Sequence, residues 1–301
     1  MASILITGSE GLVGTALYRR LLALGHDVSG LDLRGDGPTR GDTRVSADIV
    51  RALREIDGVV HLAAVSRVVW GERDPVGCWQ TNVEGTRNLI EACLDHARSP
   101  WLMFASSREV YGQATQLPVA EDAELRPMNI YGRSKVAGEE LVLGARARGL
   151  RTAIVRLANV YGSPRDHVDR VVPAFARAAA SGSDLRVDGP DHTFDFTHID
   201  DAVEGLARLA ARLDSGVADL PTVHLLPGCP TTLGELAKLA IELAGTDAAI
   251  CTAPPRPYDV SQFYGDPALA ETVLGGWRAE VTLRDGLGQL VRAFRTLEAV
   301  S

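Results

Sequence analysis

Cysteine is scarce in this chain: four in 301 residues (Cys78, Cys93, Cys229 and Cys251), with no C-x-x-C pair among them. Scattered thiols of this kind read as free and reduced, which excludes a disulfide framework and a cysteine-built zinc site. The seven histidines include no H-x-x-x-H pair, so no metal is expected. Basic charge is short as well. Lys and Arg number 31 against 39 Asp and Glu, a net charge of −8, which argues against nucleic acid or an anionic membrane surface as the main partner. No apolar run reaches membrane-spanning length, and a β-like run begins at Ser3 with no space before it for a leader, so a cytoplasmic protein is expected. Internal repeats and low-complexity segments are lacking too.

What is present is an alternation of short apolar runs with helical patterns. Ser3–Thr7, Asp27–Leu33, Gly58–Ala64, Trp101–Ser106 and Arg151–Leu157 read as strands. Helices are expected near Leu12–Leu24, Pro75–Ala97 and Ile130–Arg148. Strands that are apolar almost throughout imply a parallel sheet covered on both faces, the doubly wound α/β class, whose ligands bind at the carboxyl ends of the strands. After Asn159 the pattern loosens into a helix near Val171–Ser181, a short strand at 185–189, a strand–helix unit over 195–212, a helix at Thr232–Ala244 and a terminal helix near Leu283–Leu297.

Between the first strand and first helix, ITGSEGLVG sets Gly8, Gly11 and Gly14 at three-residue spacing. Glycine lets the chain turn sharply and lets backbone N–H groups approach a pyrophosphate at a helix N-terminus. Asp32, at the end of the next strand, can accept from both hydroxyls of an adenosine ribose and would repel a 2′-phosphate. NAD is therefore favoured over NADP, an inference that neighbouring Arg34 blunts. Asp48, in SADI, is a candidate for the adenine amino group, with a solvated loop carboxylate as the plainer reading.

Tyr131 and Lys135, in NIYGRSK, lie four apart on an expected helix and share a face. A phenol is a poor base near pKa 10, and a neighbouring ammonium together with an oxidised nicotinamide would favour the phenolate.

Taken in order, TGSEGLVG, LDL, ADI, HLAA (61–64), TNVEGT (81–86), SSREVYG (106–112), YGRSK, RLANVYG (156–162) and FDFTHIDDAV (194–203) resemble the extended short-chain dehydrogenase/reductases, specifically the NAD-dependent nucleotide-sugar epimerase/dehydratase family. The resemblance runs over nearly the whole length. It implies a Rossmann-type NAD-binding domain over 1–160, rejoined by 195–212, and a smaller α/β cap over 161–194 and 213–301 that binds the substrate. Tyr131 would be the catalytic base, Lys135 its support, and Ser107 the hydroxyl bridging it to a sugar oxygen. Leu12, Ile49, Leu62, Ala63, Ala64, Asn82 and Ser106 would line the cofactor pocket. Ser66, Ser107, Arg108, Asn159, Arg170 and Arg256 would meet a nucleotide-diphosphate sugar. A homodimer through helices 84–97 and 130–148 is expected, with Leu89, Ile90, Leu141 and Leu143 either at that interface or in the core.

The residues after Ser107 divide the reactions. Sugar 4,6-dehydratases carry an Asp–Glu pair there; Arg108 replaces the acid and cannot donate a proton near neutral pH, so dehydration is disfavoured. Nucleotide-glucuronate decarboxylases pair a glutamate, here Glu109, with an arginine at the position of Phe194, so that pairing is incomplete. A C4 epimerase needs neither and is the leading expectation, with Glu109 either catalytic or merely paired with Arg108. The alternatives are the decarboxylase, a dehydrogenase or reductase with net turnover, and a non-catalytic NAD-binding protein.

Overall fold

The structure, a computed structural model, describes residues 1–256 and 258–298. Five apolar segments become the parallel strands β1 (Ser3–Thr7), β2 (Asp27–Leu31), β3 (Gly58–His61), β4 (Trp101–Ser107) and β5 (Thr152–Leu157), and a sixth, Val223–Leu225, joins beside β5. The order across the sheet is Val223–Leu225, β5, β4, β3, β1, β2. From β1 the chain crosses to β2 on one side and then back to β3 on the other. The carboxyl ends of β1 and β3 therefore flank the crevice where such sheets take ligands.

Both sheet faces are covered, which is why the strands read as unbroken apolar runs. On one face the helices Leu12–Ala23 and Ile199–Asp214 bury Leu17, Leu21, Leu206 and Leu213 against Ile4, Ile6 and Val60. On the other, Gly85–Asp95 and Ile130–Ala147 bury Leu89, Ile90 and Val142 against Leu5, Leu102 and Phe104. Leu89 and Ile90 are thus core residues and stand in no external face, whereas Leu143 is exposed.

The second half forms a separate apolar cluster in which helices Val171–Ala180, Leu233–Ala244 and Leu283–Glu298 pack on short strands at Leu185–Asp188, Thr193–Phe194, Ile250–Ala253 and Gln262–Phe263. The expected return of 195–212 takes the form of the Ile199–Asp214 helix. Two further returns went unread: Val223–Leu225 and the helix Ala268–Val273, with Trp277, belong to the main core although both fall within 213–301. A three-residue strand and a six-residue helix are too short to carry a period.

Close packing at the sheet is tightest where Gly58 lies against Trp101, which is fully buried. A Cβ on Gly58 would lie 1.9 Å from the indole Cε2. Gly58→Ala is expected to destabilise the protein by about 1–3 kcal/mol through overpacking. Equilibrium denaturation checks this, and an unchanged midpoint would show that the strands part at little cost.

Candidate active site

A cleft of about 900 Å³ opens along the carboxyl ends of the strands, between the main sheet and the second cluster. At one end lies the glycine turn. Gly8 takes φ +74°, and a Cβ there would sit 2.7 Å from the Ala63 nitrogen, so only glycine lets β1 and the segment after β3 close up. A Cβ on Gly14 would fall 2.1 Å from the Gly8 oxygen. The Leu12–Ala23 helix starts at Gly11 with no side chain capping its first N–H groups, which leaves them to face an anion. Asp32 follows β2 and lines the cleft. Its Oδ2 accepts from the Glu10 N–H at 3.0 Å and its Oδ1 from the Arg34 N–H at 2.9 Å. Each oxygen keeps a lone pair for a hydroxyl. The Arg34 side chain is largely exposed, its Nε 3.5 Å from Asp32.

At the other end, Tyr131 and Lys135 project from the Ile130–Ala147 helix and are both buried. Asn129 caps that helix: its Oδ1 accepts from the Gly132 N–H at 2.8 Å while its Nδ2 donates to Glu109 Oε2 at 2.8 Å. The Lys135 ammonium donates to the Ala105 carbonyl at 2.8 Å and lies 4.8 Å from the centre of the Phe104 ring. Burial lowers its pKa to about 8. Burial also pushes the Tyr131 phenol up to about 12, against a hydrogen bond with Ser107 and the charge of Arg170, which pull it down. The ammonium thus has its own acceptor and lies 5.9 Å from the centre of the Tyr131 ring; Ser107 and Arg170 pull the phenol's pKa down.

Glu109 is held on both oxygens, by Asn129 and by Arg108 Nη2 at 2.9 Å from Oε1. The Arg108 guanidinium lies 4.5 Å from the centre of the Phe194 ring. Behind this floor runs a buried chain. Ser106 Oγ donates to Glu139 Oε1 at 2.5 Å, Glu139 pairs with Arg156 at 2.6 Å, and Arg156 Nη1 donates to the Tyr111 hydroxyl at 2.5 Å. That hydroxyl is 2.6 Å from His224 Nε2. Ser106, Arg156 and His224 are register partners on adjacent strands.

Of the expected residues, Gly8, Gly11, Leu12, Gly14, Asp32, Arg34, Leu62, Ala63, Ala64, Ser66, Ser106, Ser107, Arg108, Glu109, Tyr131, Lys135, Asn159, Arg170 and Arg256 all line this one cleft. Three stand apart from it. Asp48 spends its carboxylate on the Asp42 N–H at 3.0 Å and on Arg51 at 2.6 Å. Ile49 is sealed in the core beneath. Asn82 sits in a π-type turn, Gln80–Glu84, and braces the cleft from behind: its amide holds Val65 N–H and carbonyl and the Ser134 hydroxyl. Asn159 takes φ +28° and donates to the Asp195 carbonyl. A mouth contact went unread: Arg67 pairs with Asp169 at 2.5 Å, and Trp70 meets His167 edge-on. Its partners lie about a hundred positions apart, and no local pattern announces them. Asn129, by contrast, carried a legible signal as a cap residue directly before a helical pattern.

A model of the NAD dependent epimerase/dehydratase family matches residues 4–220. The chain belongs to that family. It is 31% identical over 313 residues to the UDP-glucose 4-epimerase of Mycolicibacterium smegmatis, an alignment covering 97% of this chain and 98% of the relative. Among solved structures it is similar to MoeE5 in complex with UDP-glucuronic acid and NAD, at 30% identity and TM-score 0.88, covering 98% of this chain and 99% of that one. It is also similar to the UDP-glucose 4-epimerase of Thermotoga maritima with UDP-glucose, at 26% identity and TM-score 0.90, covering 98% and 99%. The family is NAD-dependent, and NAD is the cofactor of this member. The glycine cradle that any Cβ would fill, the uncapped helix start and the Asp32 carboxylate fit that dinucleotide.

Two outcomes follow for this family member. The cofactor-free protein should show no Tyr131 ionisation below about pH 9, because burial favours the neutral phenol. NAD should bring the midpoint down by about one unit or more, since a cation favours the anion. The 295 nm difference between wild type and Tyr131→Phe reads this directly, and ionisation below pH 9 without cofactor would contradict it. Glu139→Gln should cost about 3–5 kcal/mol in chemical denaturation, because it leaves the buried Arg156 without its counter-charge. A loss under about 1 kcal/mol would mean that the pair carries little.

Proposed function

We propose that the protein is a 4-epimerase of a UDP-sugar. The observation that supports this best is the set of groups gathered beyond β4: a phenol, a hydroxyl and an ammonium, Tyr131, Ser107 and Lys135, with an arginine directly after the hydroxyl. Glu109, the carboxylate two residues after Ser107, is engaged on both oxygens. Elimination of water needs an acid able to give up a proton to the leaving hydroxyl, and Arg108 cannot serve.

The residues divide the work as follows. Ser107 meets the sugar C4 hydroxyl and passes its proton to Tyr131. Lys135 holds positive charge behind the phenolate as it receives that proton. NAD, when bound, takes hydride from C4 and gives it back. Between the two transfers the 4-keto sugar turns over in the cleft, so that the returning hydride would reach the opposite face of C4 while Tyr131 gives its proton back to the C4 oxygen. Asn159, Arg170 and Arg256 carry the donors for the diphosphate, arginine suiting phosphate through its fork. MoeE5 has been captured with both UDP-glucose and UDP-glucuronic acid, which leaves the substituent at C6 open at this level.

Purified protein given UDP-sugars should interconvert 4-epimers, read by NMR, while absorbance at 340 nm stays flat. Stoichiometric NADH release would identify a net dehydrogenase instead. Tyr131→Phe should lower turnover by about 10²–10⁴-fold while NAD stays bound; a variant retaining most of its activity would remove Tyr131 from the mechanism.

A further inference from the structure

Two segments that line the cleft meet over its mouth. The first, residues 65–73, follows β3 and ends in the short helix Val68–Arg73. It is fixed from behind. Asn82 holds the Val65 N–H and carbonyl, and Glu72 Oε1 accepts the Ile130 N–H at 2.9 Å, at the start of the helix that carries Tyr131. The second, residues 163–170, precedes the helix Val171–Ala180. Its own backbone hydrogen bonds, Asp166 N–H to the Ser163 carbonyl and Arg170 N–H to the His167 carbonyl, stay within it. Side chains join it to the facing segment. Arg67 Nη1 donates to Asp169 Oδ1 at 2.5 Å and Nη2 to the Asp169 carbonyl at 3.2 Å. Beside them the Trp70 and His167 rings meet edge-on, their centres 4.7 Å apart. The Arg67 side chain is 12% exposed and that of Asp169 53%, so the ion pair runs from inside the mouth to its rim.

The geometry points to Arg67 and Asp169 as a latch that keeps the 4-keto sugar nucleotide in the cleft between its two hydride transfers. This rests on the epimerase reading, in which the keto sugar must turn over without leaving. A molecule that escapes leaves its hydride on the cofactor and its proton on Tyr131, and the protein is stranded with NADH. Retention therefore needs a mouth that is shut during the cycle and opens at little cost after it. An ion pair with one exposed partner meets the second need, since such pairs contribute little. The buried partner meets the first: with Asp169 swung out, the Arg67 guanidinium is left without its counter-charge, which favours closing again. The two sides are unequal. Residues 65–73 continue from Ala63, beside Gly8, and are braced on the catalytic helix, so they stay with the cofactor. Residues 163–170 end at Arg170, on the substrate side, so release moves that wall and leaves the dinucleotide's wall in place.

The holoenzyme with NAD, given a UDP-sugar that it epimerises, tests this by absorbance at 340 nm beside NMR of the products. Asp169→Ala should accumulate protein-bound NADH about fivefold faster than wild type, the upper range for a half-exposed pair. Free 4-keto sugar nucleotide should appear in matching amount, and activity should decay in step. Asp169→Glu, which keeps the pair, should stay near wild type. Salt supplies a second arm: raising it from about 50 to about 500 mM should speed NADH trapping in wild type, through screening, and leave Asp169→Ala unchanged. An Asp169→Ala protein that interconverts 4-epimers with no more trapped NADH than wild type overturns the latch, as does equal trapping by Asp169→Glu and Asp169→Ala. Should Asp169→Ala fail to fold, the salt arm decides, and wild-type trapping that ignores salt overturns the proposal. The two readings fail separately. A silent Asp169→Ala that still epimerises keeps the epimerase and removes the latch. NADH released into solution by wild type at low salt, one for each sugar consumed, removes the epimerase and with it this role for the pair.

Discussion

The ion pair between Glu139 and Arg156 fixes where everything else in the site stands. It ties the Ile130–Ala147 helix to β5 through two hydrogen bonds, at 2.9 and 2.6 Å, in surroundings from which water is excluded. Glu139 lies four residues beyond Lys135 and eight beyond Tyr131, so all three share one helix face. Once Glu139 is turned to meet Arg156, the helix has no rotational freedom, and the phenol and ammonium must face the cleft. The same carboxylate takes the Ser106 hydroxyl from β4. One buried charge pair therefore sets the spacing between helix, β4 and β5. Such pairs contribute little net stability against an apolar substitute, and their use lies in specifying one arrangement.

A second constraint is the crevice itself. The strand order makes the chain leave β1 and β3 in diverging directions, and Gly8 lets those two exits touch. The cofactor end of the cleft is thus made of backbone, with few side chains involved. The substrate end is made of side chains: Arg67 pairs with Asp169 across the mouth, while Arg170 lies near Asp166 and Arg256 pairs with Asp259 within their own segments. Backbone built from short-range contacts is rigid, and pairs at a mouth can exchange partners.

How much of this was legible in the residues follows the same division. The five long strands, the glycine turn, Asp32 and the Tyr131–Lys135 face were readable, because each depends on periodicity or spacing within a dozen positions. Val223–Leu225 was not, since its partner β5 lies some seventy positions earlier. Asn82 was read as a lining residue because its motif is recognisable; that its amide turns away to brace Val65 is decided by a π-type turn that composition does not announce. Asp48 lies in the first turn of the helix Ser46–Ala52, where its carboxylate takes the nearest N–H and guanidinium, both local. The pairing of Arg108 with Glu109 was foreseeable from adjacency, whereas its stacking on Phe194 was not.

Burial acts on the reactive groups in one direction. It pushes the phenol of Tyr131 up to about 12, brings Lys135 down to about 8 and brings nearby His61 down to about 3. Each shift favours the uncharged form. Without ligands, then, the catalytic end resists charge, and a charge entering the cleft has large consequences there. A positive ring beside Tyr131 favours losing the phenolic proton. A site arranged in this way favours the uncharged phenol and amine until a charged group enters the cleft.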